Sequence, residues 1–103
     1  MADLDEVIHQ PLRLKLMAAL HASPQPLEVS WLKRLLGATD GNLGSHIATL
    51  EKSGYVAVAR EGQGRGSRSR ISLTPAGRRA FRNHLDYLRE LVDAASSGLT
   101  AGG

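Results

Sequence analysis

A mainly α domain carrying one small β-hairpin is the fold class this sequence predicts. Three observations lead to it. Apolar residues recur three and four apart over four stretches, the spacing of one helix face. Residues that start and stop helices stand at the ends of those stretches, with Pro11 and Thr74-Pro75 at openings and Gly37 and Ser53-Gly54 at closings. Between the last two stretches, two runs of strand character flank EGQGRGSR, whose glycines suit a hairpin. With 103 residues the chain has the length of one domain with a modest core, and such a core gains by burying more surface in a partner.

Asp3 to His9 reads as a short helix ahead of the first long one. Pro11 suits a first helical turn, where its missing N–H is not needed, so the first long helix runs from Pro11 to about Ala22. Leu12, Leu16 and Leu20, with Met17 beside them, mark its buried face, and Ser23-Pro24-Gln25-Pro26 ends it. Leu27-Glu28-Val29 is short and extended at best. Ser30 is the expected N-cap of a second long helix through Leu36, with Leu32, Leu35 and Leu36 as its apolar positions and Gly37 as its stop. Trp31 falls here as a core or edge residue.

The third long helix, within the stretch TDGNLGSHIATLEKSGYV at residues 39–56, carries two stripes. Leu43, Ile47 and Leu50 form an apolar one; Asn42, Ser45, His46 and Thr49 form a polar one. A solvated face usually takes Lys and Glu, which favour helix more than Asn, Ser, His or Thr. Thr39 caps this helix and Asp40 complements its dipole. A helix, a turn of about four residues and a helix with polar residues clustered toward its amino half make a helix-turn-helix. Tyr55 to Ala59 and Ser69 to Leu73 then form the hairpin, with a basic tip. Thr74-Pro75 opens the last helix, which continues to about Ala95 with Phe81, Leu85, Leu88 and Val92 in a 4-3-4 spacing and Tyr87 and Leu91 flanking them. This surface is wider than one protomer is expected to cover, so the last helix is expected to pair with a second copy, assisted by Leu4, Val7 and Ile8. Residues 1–95 are thus read as the domain and residues 96–103, by composition, as a disordered tail.

Charge is uneven along the chain. Residues 1–51 carry a net −2 and residues 52–103 a net +5. Between Lys52 and Arg82, eight basic residues face Glu61 alone. Such a footprint suits a polyanion, since neutralising phosphates releases counterions. Cysteine is absent, which excludes disulfides and thiolate metal sites. No apolar run approaches the ~20 residues of a membrane span, and the acidic N-terminus is unlike a signal peptide. The expectation is a soluble, cytoplasmic protein without a cofactor.

These pieces together resemble the small MarR/ArsR-type winged helix-turn-helix transcriptional regulators. The matching segments are HQPLRLKLMAAL at residues 9–20, LEVSWLKRLLGATDGNLGSHIATLEKSGYV at residues 27–56 and RSRISLTPAGRRAF at residues 68–81. Gly44 stands where the family usually has Ser. The resemblance implies a homodimer on double-stranded DNA, with the third long helix in the major groove and the hairpin wing against backbone or minor groove. The residues agree with it: Asn pairs bidentately with adenine, and Ser and His bond several base edges. The expected DNA-binding set is Thr39, Asn42, Ser45, His46, Thr49, Arg65, Arg68 and Arg70, with Thr49 placed for phosphate and the arginines for phosphates or a narrow minor groove. The expected dimerisation set is Phe81, Leu85, Tyr87, Leu88, Leu91 and Val92.

Other sites carry less. GQGRG lacks a following GK[ST] and joins strands instead of opening a helix, so it is not read as a phosphate loop. Asp5 with His9, or His84 with Asp86, offers no closed set of metal ligands. No nucleophile and base stand together, so no enzyme is expected. The alternative from another class is a winged helix used as a protein-interaction module. Operator sequence, direction of regulation and any small-molecule effector are not legible in the sequence.

Overall fold

Helices in this protein begin where local side chains satisfy the first free N–H groups. The computed structural model describes residues 2–62 and 68–97. Asp5 accepts from the N–H groups of Val7 and Ile8 and opens α1 (Glu6–His9), later than the Asp3 start expected from sequence. Gln10 caps α2 (Pro11–Ala22), and Thr39 caps α4 (Asp40–Lys52) by accepting from Asn42 N–H. Thr74 caps α5 (Pro75–Ser96) through Gly77 N–H. Helix α3 (Val29–Leu36) is the exception. Ser30 lies inside it, and Glu28 holds the cap position without a side-chain bond to the helix. The reason is that Leu27–Glu28 is a true strand, β1, running straight into the helix, while the Glu28 carboxylate is engaged by wing arginines.

Two glycines end α3 and α4 by the same device. Gly37 (φ 62°) and Gly54 (φ 79°) adopt the left-handed conformation that a Cβ disfavours. Ala38 N–H then reaches Lys33 C=O at 3.1 Å and Tyr55 N–H reaches Leu50 C=O at 3.0 Å, closing both helices as Schellman motifs. The turn between α3 and α4 is therefore short, only Gly37 to Thr39.

The hairpin strands are β2 (Val56–Glu61) and β3 (Arg68–Leu73), paired antiparallel from Val56 with Leu73 to Glu61 with Arg68. Strand β1 adds to the other edge of β3, Leu27 against Ile71 and Glu28 against Arg70, so the expected hairpin is a three-stranded sheet in the order β1-β3-β2. The core collects Ile8, Leu16, Met17, Leu20, Leu32, Leu43, Leu50, Ile71 and Phe81 among others, one apolar stripe from each helix closed beneath the sheet. Trp31, expected at core or edge, is at the surface with 43% of its area exposed.

Helix α5 meets the end of α4 at close range. Thr74 donates its N–H to Tyr55 C=O (3.0 Å) and its hydroxyl to Gly54 C=O (2.6 Å). A Cβ on Gly77 would lie 1.9 Å from the Tyr55 carbonyl oxygen, so only glycine permits this contact. Among the described residues no helix is long and apolar enough to cross a membrane.

Candidate nucleic-acid interface

Helix α4 separates its two stripes as the spacing requires. Leu43, Ile47 and Leu50 are buried, while Asn42 and Ser45 are exposed and His46 and Thr49 are half-buried at the margin. Thr39 is exposed at the cap. Asn42 and Ser45 make no side-chain hydrogen bonds within the described protein, which leaves donors and acceptors free along the outward face. Thr49 donates its hydroxyl to Ser45 C=O (3.1 Å), so toward a ligand it offers its lone pairs. Lys33 pairs with Asp40 at 2.9 Å across the turn, on the solvent side.

His46 is not free to turn. Its Nδ1 lies 3.1 Å from an Arg13 Nη, and Arg13 Nε also donates to Val7 C=O. Burial, and then the neighbouring Arg13 charge, lower the His46 pKa below its ordinary value of 6.5. Arg13 was absent from the sequence-derived set: it lies 33 residues from its partner, and no periodicity connects them.

The wing stands beside α4. Gly44, Ile47 and Ala48 of α4 share a groove with Val58, Arg60 and Ser69 of the hairpin. Arg60, exposed on β2 and directly opposite Ser69 in the pairing, is a wing cation missing from the sequence-derived set. Arg70 is half-buried and bonds Glu61 at 3.0 Å and Glu28 at 3.5 Å, so its charge is largely spent in tying the hairpin to β1. Arg68 is exposed, and its pair with Glu28 at 3.7 Å is loose. Surface pairs of that kind are worth little, so its guanidinium remains available. Arg65, with Gly64 and Gly66, lies outside the described residues; Gly62 is described, at φ 82°.

The expected dimer surface divides along α5. Phe81 is 3% exposed and belongs to the core of its own chain, which corrects its assignment to a partner-facing set. Ile8 is likewise fully buried. The first turns of α5 lie against α2 and β3, so their apolar side is consumed inside the protomer. Leu85, Tyr87 and Leu88 are half-buried, and Leu91 (51%) and Val92 (62%) are exposed. The N-terminal segment runs along the same helix, with Ala2 N–H on the Glu90 carboxylate and exposed Leu4 nearby in sequence. Between them lies His84, fully buried, which accepts from Asp5 N–H at 3.4 Å while its Nε2 has no partner. Burial, and then the charge of His9, lower its pKa against an opposing effect of Asp5. Asp5 itself caps α1 and accepts from Tyr55 hydroxyl at 2.7 Å, so its carboxylate is occupied by structural bonds.

A short helix, a Gly-closed turn and a second helix with a polar outer stripe, followed by a hairpin wing, define the geometry. The family model for the winged helix DNA-binding domain matches residues 12–92. The chain belongs to that family. An uncharacterized protein of Methanocaldococcus jannaschii is 30% identical over 86 residues, covering 84% of this chain and 92% of its own. The transcriptional regulator homologue from Pyrococcus horikoshii OT3 superposes with a TM-score of 0.81 at 27% identity, over 89% of this winged-helix chain and 90% of its own. A MarR-family transcriptional regulator from Silicibacter pomeroyi follows with a TM-score of 0.64 at 25% identity, over 90% of this chain and 61% of its own. FabT from Streptococcus pneumoniae, solved in complex with DNA, shares the fold with a TM-score of 0.60 at 21% identity, over 90% and 68% of the two chains. By family this chain thus carries a winged helix DNA-binding domain, and its fold is the one seen in the MarR-family regulator and the transcriptional regulator homologue.

Proposed function

We propose that this winged-helix protein acts as a homodimeric, sequence-specific regulator on double-stranded DNA, with α4 in the major groove and the wing on the backbone or in the minor groove. The observation that carries this reading is the outward stripe of α4, where Asn42 and Ser45 stand exposed with unspent hydrogen-bonding groups on the helix whose apolar stripe is buried in the core. A helix in the major groove needs that combination, since base edges present donors and acceptors that Lys or Glu on a merely solvated face would not read as selectively. In this reading Asn42, Ser45 and His46 contact bases, Thr39 and Thr49 lie toward phosphates, and Arg60, Arg65 and Arg68 supply wing charge. Arg70 acts mainly as the tie between β1 and β3. The exposed end of α5 pairs with its two-fold mate, which sets two α4 helices about 34–36 Å apart and calls for a pseudo-palindromic site.

The test is a selection of preferred duplexes from a random pool, followed by titration of wild type and Asn42→Ala. The variant is expected to lose ~1–3 kcal/mol on the selected site and little on random DNA, with relaxed preference at one base pair. Equal losses on both duplexes would remove Asn42 from the readers. A wild type that enriches no duplex from the pool and binds DNA of any sequence only weakly would favour the protein-interaction reading instead.

A further inference from the structure

We propose that Arg13 is a positioning residue for base recognition: its guanidinium holds His46 neutral with the ring proton on Nε2, so that α4 presents one fixed N–H donor to the groove. The inference rests on the reading of α4 as the base-contacting helix and adds a residue from α2 to it.

The hydrogen-bond inventory leaves one arrangement. Arginine carries only donors, so the 3.1 Å contact between its Nη and His46 Nδ1 requires a lone pair on Nδ1. The imidazole proton must then sit on Nε2, and the doubly protonated ring is excluded while the contact lasts. Arg13 is itself held. Its Nε donates to the carbonyl of Val7, one of the carbonyls left free at the end of the four-residue α1, so one planar fork spans α1 and α4. Arg13 from α2 is the charged group that faces His46, and both burial and that charge oppose ring protonation. His46 lies on the same stripe as Asn42 and Ser45, one turn after the former, and stays partly exposed there, so Nε2 is the ring nitrogen that Arg13 leaves for a ligand.

A lone donor has a definite reading. It pairs with guanine O6 or N7, adenine N7 or thymine O4, and it meets only another donor at the cytosine N4 amino group. The expected signature is exclusion of cytosine at one position, by about five- to tenfold, rather than selection of one base. Without Arg13 the ring would be free to carry its proton on either nitrogen, and its donor would no longer be fixed toward the groove, while burial would still oppose a second proton.

The experiment joins nitrogen-resolved NMR of the His46 ring with duplex selection, on wild type, Arg13→Met and Arg13→Lys. In wild type, His46 is expected to remain neutral with its proton on Nε2 at mildly acidic pH. Arg13→Met is expected to release the ring to exchange its proton between the two nitrogens, with cytosine exclusion lost at one position and affinity for random DNA within about twofold. Arg13→Lys, which keeps a donor for Nδ1, restores both signatures. A wild-type ring that is charged, or protonated on Nδ1, overturns the proposal whatever the protein does on DNA. So does an Arg13→Met protein whose ring is released while its base preferences match wild type. A wild type that binds no duplex at all instead refutes the proposed function, and the reader role of His46 goes with it.

Discussion

Gly77→Ala is expected to destabilise the protein even though alanine favours helix. The added Cβ would lie 1.9, 2.7 and 2.9 Å from the oxygen, carbon and Cα of Tyr55, all backbone atoms that cannot rotate aside. Ordinary contact needs 3.4 Å or more, so the start of α5 must withdraw from Tyr55 by well over an ångström. Two bonds are then lost or stretched, Thr74 N–H to Tyr55 C=O and Thr74 hydroxyl to Gly54 C=O, at about 0.5–1.5 kcal/mol each. Overpacking adds about 1–3 kcal/mol, against a gain of roughly 1 kcal/mol from replacing glycine in a helix. The net expectation is a loss of about 1–5 kcal/mol. Gly44→Ala provides the control, because a Cβ there meets nothing within 4 Å and the residue is helical. It should gain about 0.5–1 kcal/mol. Urea unfolding followed by circular dichroism, at one fixed protomer concentration, measures both. Gly77→Ala with stability equal to or above wild type would refute the close approach of α5 to Tyr55.

The wing carries a contrast between its arginines. Arg60→Ala with Arg68→Ala is expected to make the slope of log K against log salt less negative by up to about 2, as two phosphate contacts disappear, whereas Arg70→Ala changes that slope less. A slope unmoved by the double variant would remove both residues from the phosphate contacts. At the other end of the molecule, Leu91→Glu with Val92→Glu is expected to convert a dimer to a monomer in sedimentation, and a wild type already monomeric at micromolar concentration would end the dimer model. His84 has a lowered pKa in the folded chain, so the unfolded chain binds the extra proton first as pH falls. Its contribution to stability is therefore complete above the ordinary value of 6.5 and lost as pH falls below it toward the lowered folded value. Urea midpoints for wild type and His84→Leu should diverge in this sense, and a His84→Leu protein with the same acid dependence as wild type would show that His84 is not the group responsible.

Local chemistry accounts for what the sequence alone determined about this protein. Helix ends depend on residues within five positions of each other, so Pro11, Gly37, Thr39, Gly54 and Thr74 announce the elements they bound. The two stripes of α4 are likewise a matter of spacing, and Leu43, Ile47 and Leu50 had to lie opposite Asn42 and Ser45 once that segment became a helix. Periodicity identifies a face but not what the face meets. Phe81 and Val92 belong to one stripe, yet only packing against α2 and β3 decides that the first is inside and the second in solvent. Long-range partners were similarly illegible: Glu28 meets Arg70 because β1 pairs with β3, Gly77 is needed because α5 crosses Tyr55, and Arg13 meets His46 because α2 lies under α4. Each joins residues far apart in the chain, where hydrogen-bond and steric complementarity act through space and leave no spacing for sequence to display.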